Sequence, residues 1–125
     1  MFVFIYSGCA FLVSFQAKCS NNWNVALFFV KIFFQPLSRL GAKVLGIDMV
    51  AESIDVAINH SLKTTQAAGP FGVPEYRKSC TREIADRFPG EFDVAIASEV
   101  LEHVADWEQV VGDMAVCLKV IDFGN

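Results

Sequence analysis

Charge is what this sequence has least of. Only 19% of its 125 residues are Asp, Glu, Lys or Arg, against 54% hydrophobic, and the net charge is −4. It holds no run or stripe of Lys and Arg, and binding a phosphate backbone requires clustered cations, so nucleic acid is excluded as a partner class. Paired cysteines are also missing: Cys9, Cys19, Cys80 and Cys117 lie far apart and form no CxxC motif. Neither a zinc site nor a disulfide framework follows, and a reducing compartment is expected. No apolar run reaches the roughly 20 residues of a membrane-spanning helix. Residues 25–34 come nearest and carry Lys31. An Arg-rich presequence is absent, and no basic residue precedes the apolar start as a secretory signal would require. Internal repeats and low-complexity tracts are absent too.

What is present falls into two parts. The length fits one domain with a single core. Residues 1–34 contain most of the 12 Phe and only two charged side chains, Lys18 and Lys31, whereas residues 35–125 have ordinary globular composition. The expected division is therefore an atypical apolar N-terminal segment, 1–34, and a domain over 35–125. Residues 1–13 read either as a buried strand and turn or as the apolar part of a signal segment.

From Gln35 a strand and helix alternation is legible. Leu37 and Leu40 belong to a helix end closed by Gly41, where positive φ costs little. Residues 43–47 form a short buried-strand pattern finishing on Asp48. An acidic residue there can accept hydrogen bonds from ribose hydroxyls, or it can cap the next helix. That helix, 51–60, places Ile54, Ala57 and Ile58 on one face. His60 near its end is expected to be solvated. A loop at 61–74 carries Gly69, Pro70, Gly72 and Pro74. A strand at 75–80 and a helix at 81–88 follow, with Thr81 as N-cap, before the turn at Pro89-Gly90. Residues 92–97 are a strand by length and bounding turn. Asp106 with Gln109 makes a capping box for a last helix. Its stripe, Trp107, Val110, Val111, Met114, Ala115 and Leu118, reads as core.

Strand 92–97 runs into Ser98, Glu99, Glu102 and His103, and open α/β sheets place their chemistry at such strand ends. Two carboxylates and an imidazole can bind a metal or move a proton; alternatively, polar residues simply begin the following loop. The three share one side only if the segment curls into a helical turn.

The stretches PLSRLGAKVLGID (36–48), AESIDVAINH (51–60), EYR (75–77) and FDVAIASEVLEHVAD (92–106) carry a resemblance. Together they resemble class I S-adenosylmethionine-dependent methyltransferases, specifically the O-methyltransferases of ubiquinone biosynthesis that act on polyprenyl dihydroxybenzoates and demethylubiquinol. The resemblance implies an α/β fold, a partial Rossmann-like sheet with flanking helices. It implies S-adenosylmethionine as cofactor, with Asp48 at its ribose and Ser98 against it. It also implies Mg2+ held by Glu99, Glu102 and His103, with Glu102 and His103 catalytic at the reacting oxygen. The chemistry suits those groups, because a phenol of pKa about 10 attacks a sulfonium methyl well only as the phenolate. Magnesium prefers oxygen ligands to imidazole, which leaves His103 open as a base instead. The implied partners are a polyprenylated small molecule and a ubiquinone-biosynthesis complex. The implied place is peripheral, on the matrix face of the mitochondrial inner membrane in a eukaryotic source.

The sequence departs from that family in one respect above all. A GCGGG-type loop follows the family's first strand, where a Cβ would collide with cofactor or turn. Here Ser7-Gly8-Cys9-Ala10 preserves at most a Gly-Cys remnant. Three strands of the family's seven are readable, with exposed edges expected. The change of character at Phe34-Gln35 is that of an altered gene model or splice product, which transcript sequencing across the junction tests. Three functions follow for comparison: the O-methyltransferase, a methyltransferase-like protein without activity, and a small protein attached to membrane by its apolar N-terminus.

Overall fold

A computed structural model describes residues 2–6, 23–28, 37–38, 41–63, 73–98 and 100–120. Its elements are β1 (Phe2–Tyr6), β2 (Trp23–Phe28), β3 (Ala42–Asp48), α1 (Ala51–Lys63), β4 (Glu75–Lys78), α2 (Thr81–Arg87), β5 (Val94–Ser98) and α3 (Trp107–Cys117), with a 3₁₀ turn at Leu101–His103 before α3. The five strands make one sheet in the order β1-β5-β2-β3-β4, every pairing parallel. This is an open α/β sheet, as expected, but with five strands where three were legible. Residues 1–34 supply two of them.

A parallel strand inside such a sheet is covered on both faces and so reads as a continuous apolar run. β3 shows this: of Ala42–Asp48 only Lys43 is exposed. Leu45 and Ile47 pack with Ala26, Ala95 and Ala97 against Ile84 and Ala85 of α2 and Val110, Met114 and Cys117 of α3. Ala42 and Val44 pack with Val94 against Leu37 and Ile96. Gly41, at φ +93°, turns the chain into β3, and its N–H donates to the Ser38 carbonyl (3.0 Å). That is the role expected of it, since positive φ is strained for any residue with a Cβ.

Several local expectations need correction. Cys80, not Thr81, is the N-cap of α2. Thr81 is the first helical residue, and its hydroxyl instead donates to the buried Asp113 carboxylate of α3 (2.8 Å). Arg82 completes that clamp at 3.1 Å from the other Asp113 oxygen. The Asp106 and Gln109 capping box does not form, because Asp106 makes no side-chain cap bond. With its amide nitrogen toward Asp106, Gln109 donates to Asp106 Oδ2 and accepts from Arg82, both at 3.0 Å. On α3, Val110, Met114, Asp113 and Cys117 are buried, while Trp107 and Ala115 face solvent. On α1 the buried face is Ile54, Ala57 and Ser61, and Ile58 is 39% exposed. In both helices a polar residue with a partner took a core position: Asp113 in the clamp, and Ser61, whose hydroxyl donates to the Tyr76 hydroxyl (3.2 Å). Burial follows satisfied hydrogen bonding as well as apolarity.

Candidate functional site

All five strands run in one direction, so their carboxyl ends share one edge of the sheet. Asp48 ends β3 and Ser98 ends β5, with β2 between them. The register aligns Ile47, Phe28 and Ala97 across the three strands. Asp48 and Ser98 are each the next residue along, so they flank the end of β2 in one row, about 10 Å apart at two strand spacings. The chain leaves β2 toward β3, whereas β5 lies on its other side. That reversal of strand order is where open α/β sheets hold their ligands. The sequence-predicted pair is therefore brought to one edge of the sheet.

Asp48 is buried, and its Oδ1 accepts from the Val50 N–H (2.8 Å), a side chain to backbone turn that fixes the carboxylate just ahead of α1. Its backbone carbonyl accepts from the Ser79 N–H (3.0 Å), which ties the end of β3 to the chain leaving β4. One Asp48 oxygen thus organises the helix entry, as the capping alternative expected, and the other accepts no hydrogen bond from the described residues. Met49 and Val50 beside it are 61% and 51% exposed. They give this edge an apolar surface that periodicity did not flag, because each looked like part of an ordinary strand-to-helix link.

Beyond β5, Val100 is buried and Leu101 and Val104 pack on the core. The 3₁₀ turn closes with the His103 N–H donating to the Val100 carbonyl (2.8 Å). This anchoring leaves Glu102 and His103 exposed on the outer side of the turn. Glu99 lies outside the described residues. Among the described residues no three His, Cys, Asp or Glu side chains gather as a metal site. Two exposed neighbours, one an imidazole, do not supply the oxygen cage that magnesium takes. The Mg2+ expectation therefore has no support in the geometry.

The glycine expectation is corrected by topology. The strand beside β3 is β2, not β1, and β1 lies beyond β5 at the sheet edge. Gly8 and Cys9, which follow β1, lie outside the described residues. The stretch after β2, residues 29–40, reads FVKIFFQPLSRL and contains no glycine. A cavity of about 290 Å³, lined by Ala42, Lys43, Glu75, Phe88 and Phe92 among others, opens at the amino ends of the strands, opposite Asp48. It is separate from the candidate site. No helix among the described residues is long and apolar enough to cross a membrane.

Residues 30–120 match the family described as Methyltransferase domain. A ubiquinone biosynthesis O-methyltransferase of Erwinia tasmaniensis is 39% identical over 95 residues, covering 75% of this chain and 35% of that protein. One from Pseudoalteromonas translucida is 40% identical over 89 residues, covering 70% and 35%. The chain thus spans about a third of the length of these bacterial relatives. Among solved structures, the YcgJ protein from Bacillus subtilis superposes with a TM-score of 0.66 at 18% identity, covering 82% of this chain and 42% of that one. The bifunctional kinase-methyltransferase WbdD gives 0.58 at 24% identity, covering 74% and 22%. Both likenesses are of fold.

Proposed function

Because the chain belongs to the methyltransferase domain family, we propose that it carries the cofactor edge of an S-adenosylmethionine-dependent O-methyltransferase. The substrate is a polyprenylated catechol of ubiquinone biosynthesis, a reading supported by the relatives' names. The observation that carries it is the Asp48 carboxylate, fixed by Val50 N–H at the end of β3 and level with Ser98 across β2. A carboxylate with a free acceptor at this place suits a ribose diol. The cofactor, when bound, supplies an electrophilic methyl group. The chain's own part is to bind the ribose through Asp48, to present Met49 and Val50 to the apolar face of the adenosine, and to take a phenolic proton through His103 or Glu102. No metal takes part in this account. A polyprenyl tail partitions into a bilayer, so the encounter is at a membrane surface, alone or within a biosynthetic complex. In a eukaryotic source that surface is the matrix face of the mitochondrial inner membrane.

The glycine-free stretch after β2 favours a second reading, a methyltransferase-like chain that binds no cofactor. Every residue from Phe29 to Leu40 carries a Cβ, which obstructs the close backbone approach that glycine permits. Methyl-labelled S-adenosylmethionine with a polyprenylated dihydroxybenzoate discriminates the two. Label on the phenolic oxygen, reduced by His103→Gln, supports the transferase. A folded chain that transfers none leaves the second reading standing.

A further inference from the structure

β4 forms one edge of the sheet: β3 lies on its inner side, and no described strand lies beyond it. The Ser79 N–H donates to the Asp48 carbonyl (3.0 Å). Residues 75, 77 and 79 therefore turn their backbone groups toward β3, whereas Tyr76 and Lys78, alternating with them, turn theirs to the open edge. Side chains alternate between the faces as well. The Ser61 hydroxyl of α1 donates to the Tyr76 hydroxyl (3.2 Å), which puts Tyr76 on the α1 face. Arg77 lies on the other face, over the Phe88 ring at the end of α2 (5.5 Å to its centre), with Glu75 as its ion-pair partner.

An open edge accepts a further strand unless its side chains prevent it. Opposite charges directly across two strands favour pairing, and like charges oppose it. The edge reads Glu75-Tyr76-Arg77-Lys78. Two copies of it meeting antiparallel about a two-fold axis must centre on a residue, because facing residues share a face. Centred on Glu75, Arg77 or Lys78, the axis sets that charge against itself. Centred on Tyr76, it sets Glu75 of each copy opposite Arg77 of the other and Tyr76 beside Tyr76. The backbone fits the same register. Tyr76 turns outward, so the two Tyr76 residues exchange both N–H to carbonyl bonds, and each Lys78 N–H meets the Pro74 carbonyl of the second copy. Glu75 and Arg77 fall at the closer, non-hydrogen-bonded positions, with Cα atoms about 4.5 Å apart.

The helix above this edge supports the same contact. α1 packs on β3 and β4, so the axis brings the α1 helices of two copies to about two strand spacings, roughly 10 Å, a distance at which helices pack. α1 runs antiparallel to the strands in a right-handed crossover from β3 to β4. That hand turns the residue after Ala57 and the residue after Ser61 toward the open edge. They are Ile58 and Leu62, 39% and 70% exposed and one turn apart. Ser61 holds Tyr76, through which the axis passes, so this apolar pair meets its own copy near the axis.

We propose that β4 is a self-pairing edge, which joins two copies of this chain antiparallel through residues 74–78, with Ile58 and Leu62 of the two α1 helices packed across the axis. Charges commonly guard an edge against pairing. Here they alternate in sign, and so select one register. The inference rests on strand pairing and not on the proposed activity.

Sedimentation velocity of the full chain across micromolar concentrations should show monomer and dimer in concentration-dependent exchange. Arg77→Glu and Glu75→Arg each set like charges opposite one another at both cross-strand positions, and each should weaken the dimer at least about ten-fold with circular dichroism unchanged. An equimolar mixture of these two variants restores opposite charges at both positions and should dimerise as the native chain does. Leu62→Lys, at an exposed position outside the strand, should also weaken the dimer. A native chain that stays monomeric, a dimer indifferent to the charge variants or to Leu62→Lys, or a mixture that associates no better than its components would overturn the proposal.

Discussion

Asp48 and Cys117 show what a single position can and cannot disclose. Asp48 was legible because an apolar run ending in an acid, followed by a helix pattern, has few interpretations. The structure shows the local one, a turn to the Val50 N–H, at the end of β3. Cys117 gave no such signal, since a lone cysteine in a helix looks like any small apolar residue. It is fully buried beside Asp113, and burial first, then the Asp113 carboxylate, push its thiol from 9.0 to about 11. A raised value means the folded chain keeps the proton that the unfolded chain releases. The contribution is whole below about pH 9 and is lost as pH rises through about 11, a loss of roughly 2–3 kcal/mol. Urea titrations across that window should show this decline in the native chain and a flatter profile for Cys117→Ala. Equal slopes would remove the thiol from the account.

At the scale of elements, β3, β4, β5 and the three helices were readable because turns and polar residues punctuate them. β2 was not, and β1 was legible only as one of two readings of residues 1–13, because residues 1–34 are apolar almost throughout and a continuous apolar run does not mark where a strand begins or ends. Their limits are set by pairing with β5 and β3, which is tertiary information. The α2 and α3 contact was likewise hidden. Thr81 and Asp113 are 32 positions apart, and the apolar stripe read on the last helix does not include Asp113. The clamp makes a specific demand on stability. Thr81→Val should cost about 1 kcal/mol by removing one hydrogen bond. Asp113→Ala should cost about 1–3 kcal/mol, because the Thr81 hydroxyl loses its partner while Arg82, half exposed, returns to water. Denaturant melts with unchanged m-values would register both losses. Additive effects in the double variant would argue against a shared contact.

For the whole molecule, fold and family were both legible from residues 36–119, where the strand ends and the helix faces keep their pattern. The sheet order was not, because it depends on two strands outside that stretch. It is this order that sharpens the functional question: β2 occupies the central lane beside Asp48, and the chain following it has no glycine. The account holds that the β3 edge still recognises the cofactor through Asp48. Isothermal titration calorimetry of the full chain with S-adenosylmethionine tests this most directly. Binding heat is expected, and Asp48→Asn should weaken affinity about 10- to 100-fold, the worth of a hydrogen bond to a charged group. No heat from a sample that melts cooperatively, or equal affinity for the Asp48→Asn variant, would contradict it.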